Sequence, residues 1–463
     1  MKFGGSSLED WSAFERVSRI VSSYDRFCSV VVVVSAMSSM TQDLLSSVQL
    51  SSSGDCRKAI ELLEAQRRRH LALTFELPPR EAVSTQSFIQ NSWCELLRLL
   101  QAVSANRCAN EQLMDAIISY GEILSAKLLK ATLQAECLPA EYVDARRCVI
   151  TNQSHGHAKP FPKLTRKRIR AEIIPLLESG KIPVLGGFIG GSRRGVTTTL
   201  GRGASDYTAT LVGAAIDARE IQIWTDVDGI LTADPNVVQT TRSVPYLSYA
   251  EAAELSRFGA KVLHPKSIEP ASKQNVPLRV FNSRSPELPG TLVCGTRKRF
   301  RESGIKAIAF KTSLTLINLS PKPTFVARDL HSSLEKVFRE HDSTVDLLDR
   351  SDTMVVLALE QRDTLPIIIG KLERLGSVET RCDRALICCV ADGWLESDYW
   401  MGAVVTLDAE VRWRRRSSVS LIADVPQSGA RTLVQSLHHR LFDKQFVSEW
   451  CNYEGIPVSS NFT

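Results

Sequence analysis

Residues with the chemistry of a phosphate site open the chain. Residues 2–7 read KFGGSS, and a helical pattern begins near Leu8. Glycines let a ligand approach the backbone closely, and the free amides at the start of a helix favour anions. The ammonium group of Lys2 beside them suits a phosphate. A glycine-rich turn is often only a turn, so this motif needs support from others.

A second glycine-rich region carries an arginine and an acid. Residues 186–191 read GGFIGG, and residues 197–209 read TTTLGRGASDYTA. The guanidinium of Arg202 can pair with a carboxylate in a two-pronged geometry that lysine cannot reproduce. Ser205 is a good N-cap for the helix that follows, and Asp206 in its first turn can pair with a cation. The dense order of threonines and small residues argues against a plain surface loop.

Two further motifs follow along the chain. Residues 224–235 read WTDVDGILTADP, an acidic turn that lacks the glutamate at the twelfth position of a calcium-binding loop. Residues 258–265 read FGAKVLHP and place a second lysine, Lys261, in a loop ahead of a helix.

Alternating strand and helix patterns over about the first 295 residues position these motifs. Such alternation predicts an α/β fold with a largely parallel sheet covered on both faces, and ligands of these sheets bind where the strands end. The motifs therefore lie where a ligand site is expected. We predict strands at 30–35, 140–144, 182–187, 221–224 and 278–281, and helices at 8–22, 59–74, 111–133, 167–178 and 205–215.

The pattern changes after a polar, basic stretch at 295–304. Shorter elements follow, and they predict two small α+β domains in tandem. We place the first domain at 305–380 and the second at 381–450, and the strand at 305–310 can belong to either. The elements are expected at 305–310, 314–319, 334–341, 354–359, 365–375 and 385–390, with a strand at 419–425 and a helix at 430–442.

The composition is that of a globular protein, with 43% hydrophobic and 23% charged residues. The net charge of +6 is modest for 463 residues, and no apolar run approaches the ~18 residues that cross a bilayer, so neither a nucleic-acid nor a membrane partner is expected. The basic run at 413–416 is interpreted as a solvated strand edge. His155 and His157 have no partner ligands at zinc spacing, so no metal site of the protein's own is expected. The scattered cysteines, with no C-x-x-C pair, indicate a cytoplasmic protein.

The four motifs resemble the signatures of the aspartokinases, which read KFGGTS, TTTLGRGGSDYTA, WTDVxGI and FGAKVLHP. Residues 35–41 and the pair at 121–122 match two further segments of that family. The resemblance is dense over residues 1–295 and loose beyond them. It implies the amino-acid-kinase fold followed by two ACT domains. It also implies that ATP phosphorylates the side-chain carboxylate of L-aspartate to 4-phospho-L-aspartate, the first step toward lysine, threonine and methionine.

The resemblance further implies the residues of the site. Lys2 would steady the γ-phosphoryl group and Asp206 would orient the reacting groups, with Mg2+ bridging the phosphates. Arg202 would clamp a carboxylate of aspartate, and Glu122 would receive its ammonium group. The implied aspartate-binding residues are Ser35, Thr41, Glu122, Arg202, Gly203 and Ser205, and the implied ATP-binding residues are Lys2, Phe3, Gly4, Gly5, Ser6, Thr225, Asp226, Leu231, Asn236, Lys261 and Val262.

The sequence departs from the family at three places. Only Met1 precedes Lys2, although a core strand usually has about five residues, so we expect the natural strand to begin earlier. Leu231 and Asn236 stand where many bacterial members have tyrosine and arginine. Residues 328–333, aligned with the loop that closes over lysine in lysine-sensing members, contain no glycine, which leaves open whether lysine is an effector. By resemblance, a homodimer is expected.

Two alternatives to an aspartate kinase remain. The same fold could phosphorylate another carboxylate, such as that of acetylglutamate, although residues 197–209 argue against this. The chain could also be a catalytically weak or silent regulatory subunit that senses an amino acid. The short first strand favours a silent subunit, whereas the presence of all the main site residues argues against it: Lys2, Glu122, Arg202, Asp206 and Lys261.

Overall fold

The computed structural model describes residues 1–201, 203–260, 262–295, 304–322, 327–340, 345–351, 354–392, 411, 413–415 and 417–443. These residues form an N-terminal unit over 1–295 and a C-terminal unit over 304–443, each built on its own large sheet. No helix in this part of the chain is long and apolar enough to cross a membrane.

Strands of the N-terminal unit form one large and one small sheet. Strands β1 to β11 are Lys2–Phe3, Val32–Val34, Ala140–Tyr142, Ile150–Thr151, Ile182–Gly186, Ile189–Ser192, Thr197–Thr199, Ile221–Thr225, Tyr246–Ser248, Leu278–Asn282 and Thr291–Cys294. The large sheet has the order β3-β5-β2-β1-β8-β10-β11-β9, and its neighbours are parallel except for β10 and β11. The small sheet contains β4, β6 and β7.

Helices bury both faces of the large sheet. Alternate residues of β2 enter different cores, with Val33 in one and Val32 and Val34 in the other. This follows from the two-residue period of a strand, and it confirms the predicted α/β fold. Helices α1 to α11 are Trp11–Asp25, Met40–Ser52, Cys56–Thr74, Pro79–Asn106, Glu111–Ile118, Tyr120–Ala135, Ala145–Cys148, Pro162–Glu178, Ala204–Ala215, Tyr249–Arg257 and Pro265–Gln274.

The first strand is short but central. Lys2 pairs with Val33 of β2 on one side and with Ile223 of β8 on the other. The amino group of Met1 donates a hydrogen bond to the carbonyl oxygen of Val31 at 2.7 Å. Two residues suffice here because both edges of β1 are paired and Phe3 is fully buried. The strand therefore holds Lys2 at the centre of the sheet.

The C-terminal unit is a six-stranded antiparallel sheet with helices. Strands β12 to β17 are Gly304–Pro321, Val345–Arg350, Val355–Glu360, Gly376–Asp392, Trp413–Arg415 and Ser420–Pro426, and helices α12 to α14 are Ala327–Glu340, Leu365–Leu372 and Gln427–His438. The order is β13-β14-β12-β15-β17-β16. This architecture fits the predicted pair of ACT-type domains.

Two long strands are shared by both halves of this sheet. The strands predicted at 305–310 and 314–319 are one strand, β12, whose pairing shifts between Lys311 and Leu314. Ser313 in that shift has a φ of +58°, the left-handed conformation of a bulge. The boundary predicted between residues 380 and 381 falls inside β15. The halves are distinguished by their cores, because Ile308 packs in one and Ile317 in the other.

Several local predictions were wrong. The helix predicted at 111–133 is two helices, α5 and α6, which meet at Ser119. Ser205 is not an N-cap, because α9 begins at Ala204 and its N-cap is Gly203 with a φ of +69°. Residues 328–333, expected as a loop, lie within α12.

The helices α2 and α4 and the small sheet were not predicted. For α4 the signal is present in the sequence, since its buried residues alternate in steps of four and three: Ile89, Trp93, Leu96, Leu100 and Val103. The small sheet has strands of two to four residues, too short for a periodic signal.

Truncation of one core ring should test the centre of the sheet. Trp224 is fully buried, and its ring stacks against that of Phe281 at 4.6 Å between centroids. We expect Trp224→Ala to lower the free energy of unfolding by about 3–5 kcal/mol, because a cavity remains. Urea unfolding measures this loss. The control Phe75→Ala, at a side chain 77% exposed, should change it by less than about 0.5 kcal/mol.

Candidate active site

The carboxyl ends of four parallel strands meet at one edge of the large sheet. The backbone N–H of Ser35, after β2, donates to the carbonyl oxygen of Phe3 at 3.1 Å. The N–H of Gly187, after β5, donates to Val34 at 2.8 Å, and that of Gly4 donates to Trp224 at 3.1 Å. These bonds continue the ladders beyond the strands, so the loops that carry the motifs lie side by side.

A buried ion pair lies at this edge. The Nζ of Lys2 is 2.6 Å from Oδ1 of Asp206, and both side chains are about nine-tenths buried. Asp206 lies in the first turn of α9, where the unpaired helix amides stabilise negative charge. A Cβ at Gly4 would lie 3.7 Å from the Lys2 ammonium, so glycine leaves the backbone open beside this cation. The pair therefore holds the Lys2 cation at a place that a phosphate group of a ligand can approach.

Glu122 contributes a carboxyl from α6 to the same region. It is 4% exposed, and its Oε2 accepts no hydrogen bond from the residues that the structure describes. Burial raises the pKa of this carboxyl to about 8, and the backbone amide of Ala36 and the charge of Lys2 offset only part of that effect. A buried acid with an unused oxygen suits a cationic group of a ligand.

Close backbone contacts bring β5, α6 and α9 together. A Cβ at Gly186 would lie 2.9 Å from the Cβ of Glu122, and a Cβ at Gly187 would lie 2.7 Å from the Cα of Ser205. Such distances exclude any side chain at either glycine. The GGFIGG motif is thus needed for packing around the acidic and hydroxyl groups of the site.

Phe188 follows these glycines and was not among the predicted site residues. It is half-buried and has a φ of +64°, which is uncommon for an aromatic residue. Its N–H donates to Oγ1 of Thr208 on α9 at 3.1 Å, which holds it in this conformation. The sequence offers no signal for a left-handed phenylalanine.

A second group of predicted residues lies at the end of β8. The carbonyl oxygen of Thr225 accepts a hydrogen bond from the N–H of Ser283 at 2.8 Å, and the Oγ of Ser283 is 2.8 Å from that of Ser7. Asp226 accepts from the hydroxyl of Thr225 at 3.2 Å. These contacts connect the first glycine-rich turn to the acidic turn.

The remaining predicted residues have different surroundings. Ser35, Thr41, Leu231 and Val262 are half-buried, and Asn236 is exposed. Phe3 can offer a ligand only its backbone, because its side chain is fully buried in the core. Arg202 and Lys261 lie outside the described residues, so no geometry is assigned to them.

A buried aspartate, which the sequence analysis missed, bonds to the end of β7 just before the loop of the second glycine-rich motif. Asp115 on α5 is fully buried and accepts from the hydroxyl of Thr199 at 2.5 Å and from the N–H of Gly156 at 3.0 Å. The Nδ1 of His155 lies 2.7 Å from its other oxygen. Thr199 ends β7 immediately before the loop that contains Arg202. Asp115 therefore ties that loop to the helix that precedes α6 and Glu122.

One of the two histidines considered as metal ligands has a different partner. His155 bonds to Asp115, as a ring N–H does to a carboxylate. Among the described residues, no group of three His, Cys, Asp or Glu side chains is arranged to hold a metal. The available signal for Asp115 was an acid between the apolar residues Met114 and Ile117 of α5.

The site opens into a cleft between the two units. The cleft has a volume of about 1380 Å³. Gly203, Asp206 and His264 line it from the N-terminal unit, and Lys311, Glu360 and Arg384 line it from the C-terminal unit.

Comparison with known proteins identifies the family. Residues 1–282 match the amino acid kinase family. The chain is 31% identical to lysine-sensitive aspartokinase 3 of Escherichia coli K12 over 96% of its own length and 98% of that protein. It is 29% identical to the chloroplastic aspartokinase 1 of Arabidopsis thaliana over 97% and 81% of the two chains.

A solved structure gives the same result for the fold. The crystal structure of E. coli aspartokinase III in complex with aspartate and ADP (R-state) matches with a TM-score of 0.84 and 31% identity, covering 95% of this chain and 99% of that one. The corresponding structure with lysine and aspartate (T-state) matches with a TM-score of 0.74. The chain thus belongs to the amino acid kinase family and, within it, to the aspartokinases.

Substitution of Asp115 should weaken the use of aspartate more than the use of ATP. In Asp115→Asn, one acceptor oxygen becomes an NH2 group that faces a donor, so a buried donor loses its partner and the loop loosens. We expect the KM for aspartate to rise at least about tenfold, while the KM for ATP changes by less than about threefold. Steady-state kinetics measure both constants. The control Glu111→Gln, exposed on the same helix, should leave them unchanged.

Proposed function

We propose that this chain transfers the γ-phosphoryl group of ATP to the side-chain carboxylate of L-aspartate and forms 4-phospho-L-aspartate. The observation that carries the proposal is the convergence of Lys2, Asp206 and Glu122 at one edge of the sheet. The relative that was crystallised with aspartate and ADP supports it. The product is the first intermediate toward lysine, threonine and methionine.

The chief electrostatic problem of this reaction is repulsion between two anions. ATP and the aspartate carboxylate must approach in line, and the enzyme contributes position and charge more than covalent chemistry. Lys2 acts on the γ-phosphoryl oxygens, and its pairing with Asp206 at 2.6 Å holds the ammonium in place before a ligand arrives. Arg202 clamps a carboxylate of the substrate. Ser35, Thr41 and Ser205 add hydrogen bonds to aspartate.

Glu122 recognises the ammonium group of aspartate. Among the described residues, no donor bonds to one oxygen of its buried carboxyl, and an ammonium group would satisfy that oxygen. Removal of water makes such a charge pair strong, and it selects an amino acid over a simple carboxylic acid. Gly203, with a φ of +69°, lets the backbone turn toward the substrate ahead of α9.

The nucleotide lies along the ends of β1 and β8. Gly4, Gly5 and Ser6 lie beside the phosphates next to Lys2. The N–H of Gly4 is already bonded to Trp224, so Gly4 contributes by lacking a side chain, which lets a phosphate approach the backbone closely. Thr225, Asp226 and the flanking residues Leu231, Asn236, Lys261 and Val262 hold the rest of the nucleotide. The tie between Ser283 and the carbonyl oxygen of Thr225 supports this placement, because it fixes the end of β8.

Magnesium arrives with the nucleotide. Mg2+ binds through phosphates, waters and one or two carboxylates, and Asp206 is a buried carboxylate beside the proposed phosphate site, so the residues fit the ion. When bound, Mg2+ neutralises charge on the phosphate oxygens. In its absence, Lys2 and the loop amides still orient the phosphates.

Three further features belong to the proposal. An amino acid acts as effector on the C-terminal unit, and the structure of a relative with lysine supports this idea. Kinetics with lysine, threonine or methionine added test it. Two copies associate into a homodimer, and analytical ultracentrifugation tests this oligomeric state. The protein is cytoplasmic, and cell fractionation tests this location.

Acyl-hydroxamate formation tests the activity directly. With MgATP, hydroxylamine and aspartate, we expect the wild type to form aspartyl hydroxamate and Lys2→Met to be at least about 100-fold slower, since one cation at the phosphates is lost. The control Lys273→Met, at an exposed lysine, should be normal. Product with another carboxylate only, such as acetylglutamate, would indicate a different kinase. No product with any would indicate a silent sensor.

The buried acid predicts a specific pH dependence. Because the pKa of Glu122 is about 8 in the free protein, the carboxyl must lose a proton to bind an ammonium group below that pH. We expect the affinity for aspartate to weaken about tenfold for each pH unit between 8 and 6. Calorimetric titration with aspartate measures this slope. In Glu122→Gln the affinity should be weaker and nearly independent of pH.

The raised pKa of Glu122 also makes the stability of the protein depend on pH. The folded-state pKa lies above the unfolded value of 4.5, so without aspartate this carboxyl contributes its full stability below pH 4.5, loses that contribution as pH rises from 4.5 to about 8, and adds no further slope above that pH. A slope of thermal stability that is unchanged in Glu122→Gln would contradict this assignment.

A further inference from the structure

The chain that leaves the acidic turn enters the core of the C-terminal unit. Ala233, Val237 and Val238 are buried together with Ile308 of β12 and Val434 of α14. A segment of the N-terminal unit thus completes a core that otherwise consists of residues from the C-terminal unit. Its position depends on that unit as much as on its own.

Hydrogen bonds fix one end of this segment. The carbonyl oxygen of Thr232 accepts from the N–H of Ile308 at 2.8 Å, and its Oγ1 is 2.9 Å from Nε2 of His438. The N–H of Arg242 donates to the same Oγ1 at 3.1 Å. Thr232 is 7% exposed and His438 is 1% exposed, so these bonds are shielded from water.

A second bond fixes the other end. The side-chain amide of Gln435 donates to the carbonyl oxygen of Val237 at 2.8 Å. Gln435 and His438 lie one turn apart on α14, so a single helix holds both ends. Between them lies the loop that contains Asn236, and Leu231 immediately precedes Thr232.

We propose that His438 is a positioning residue for nucleotide binding, which acts through Thr232 to set the place of Leu231 and Asn236. This inference rests on the proposed function, since it takes those two residues as nucleotide contacts. Leu231 and Asn236 are the direct sequence neighbours of Thr232 and Val237, which hydrogen-bond to α14. Movement of α14 relative to the large sheet would therefore move the nucleotide contacts, and it would leave the aspartate residues on α6 and α9 in place.

The hydroxyl of Thr232 is buried and bonded to the ring of His438. Removal of the imidazole takes a partner from the Thr232 hydroxyl and opens a cavity at the end of α14. Neither loss touches Lys2, Asp206 or Glu122. The effect should therefore appear in nucleotide affinity and not in the chemical step.

The test compares His438→Ala with His438→Gln and Thr232→Val. We expect the KM for ATP and the calorimetric Kd for ADP to rise about 5- to 20-fold in His438→Ala, with the KM for aspartate and kcat within about twofold of the wild type. Thr232→Val should show the same effect. The side-chain amide of His438→Gln can bond to the hydroxyl and should restore most of the affinity.

A matched control removes a different hydrogen bond between the two units. Ser420→Ala removes a 2.8 Å hydrogen bond to Glu254 on α10, away from the nucleotide segment, and should leave ADP affinity unchanged. Equal weakening by Ser420→Ala, or unchanged ADP affinity in a folded His438→Ala, would overturn the inference alone. A wild type that fails to bind ADP would overturn the proposed function and the inference with it.

Discussion

The proposed site depends on holding the cation of Lys2 at the place where ATP and the aspartate carboxylate would meet. The ammonium of Lys2 would lose hydration at the edge of the sheet, and its contact with Asp206 compensates that loss. The strand that carries Lys2 has only two residues, but it is paired on both sides. A flexible lysine at a chain end would hold no such position. The fold supplies rigidity that this short strand lacks by itself.

Close packing around that cation explains the glycines and the buried acids. Gly186 and Gly187 allow α6 and α9 to approach β5 until no Cβ fits. That approach buries Glu122 and thereby raises the pKa of its carboxyl. Asp115 gives the adjoining loop a second attachment, from α5. The partners of the three acids differ within the described part of the chain: Asp206 has a cation, Asp115 has three donors, and one oxygen of Glu122 accepts no hydrogen bond.

The two units share a hydrophobic core on one side of the cleft that lies between them. Ala233, Val237 and Val238 pack among residues of the C-terminal unit. Lys306 of β12 forms a buried ion pair with Glu251 of α10 at 2.9 Å, which adds a polar link across the same boundary. A buried pair of this kind favours one mutual arrangement, because separation would leave a charge without its partner. A change in the C-terminal unit would thus act on the segment beside the proposed nucleotide site.

The sequence by itself determined the α/β class, the order of most elements and the motifs of the site, because strand and helix periods and glycine-rich turns are local properties. It also determined the family, through four motifs in separate loops. Helix α4 was not predicted, although the spacing of Ile89, Trp93 and Leu96 in the sequence is that of a helix. Only the tertiary structure decided that Gly203 caps α9, that β12 is one strand, that Asp115 braces Thr199 and that Thr232 bonds to His438. The last two features join residues 84 and 206 positions apart, and contacts at such separations arise from packing, which no local pattern encodes.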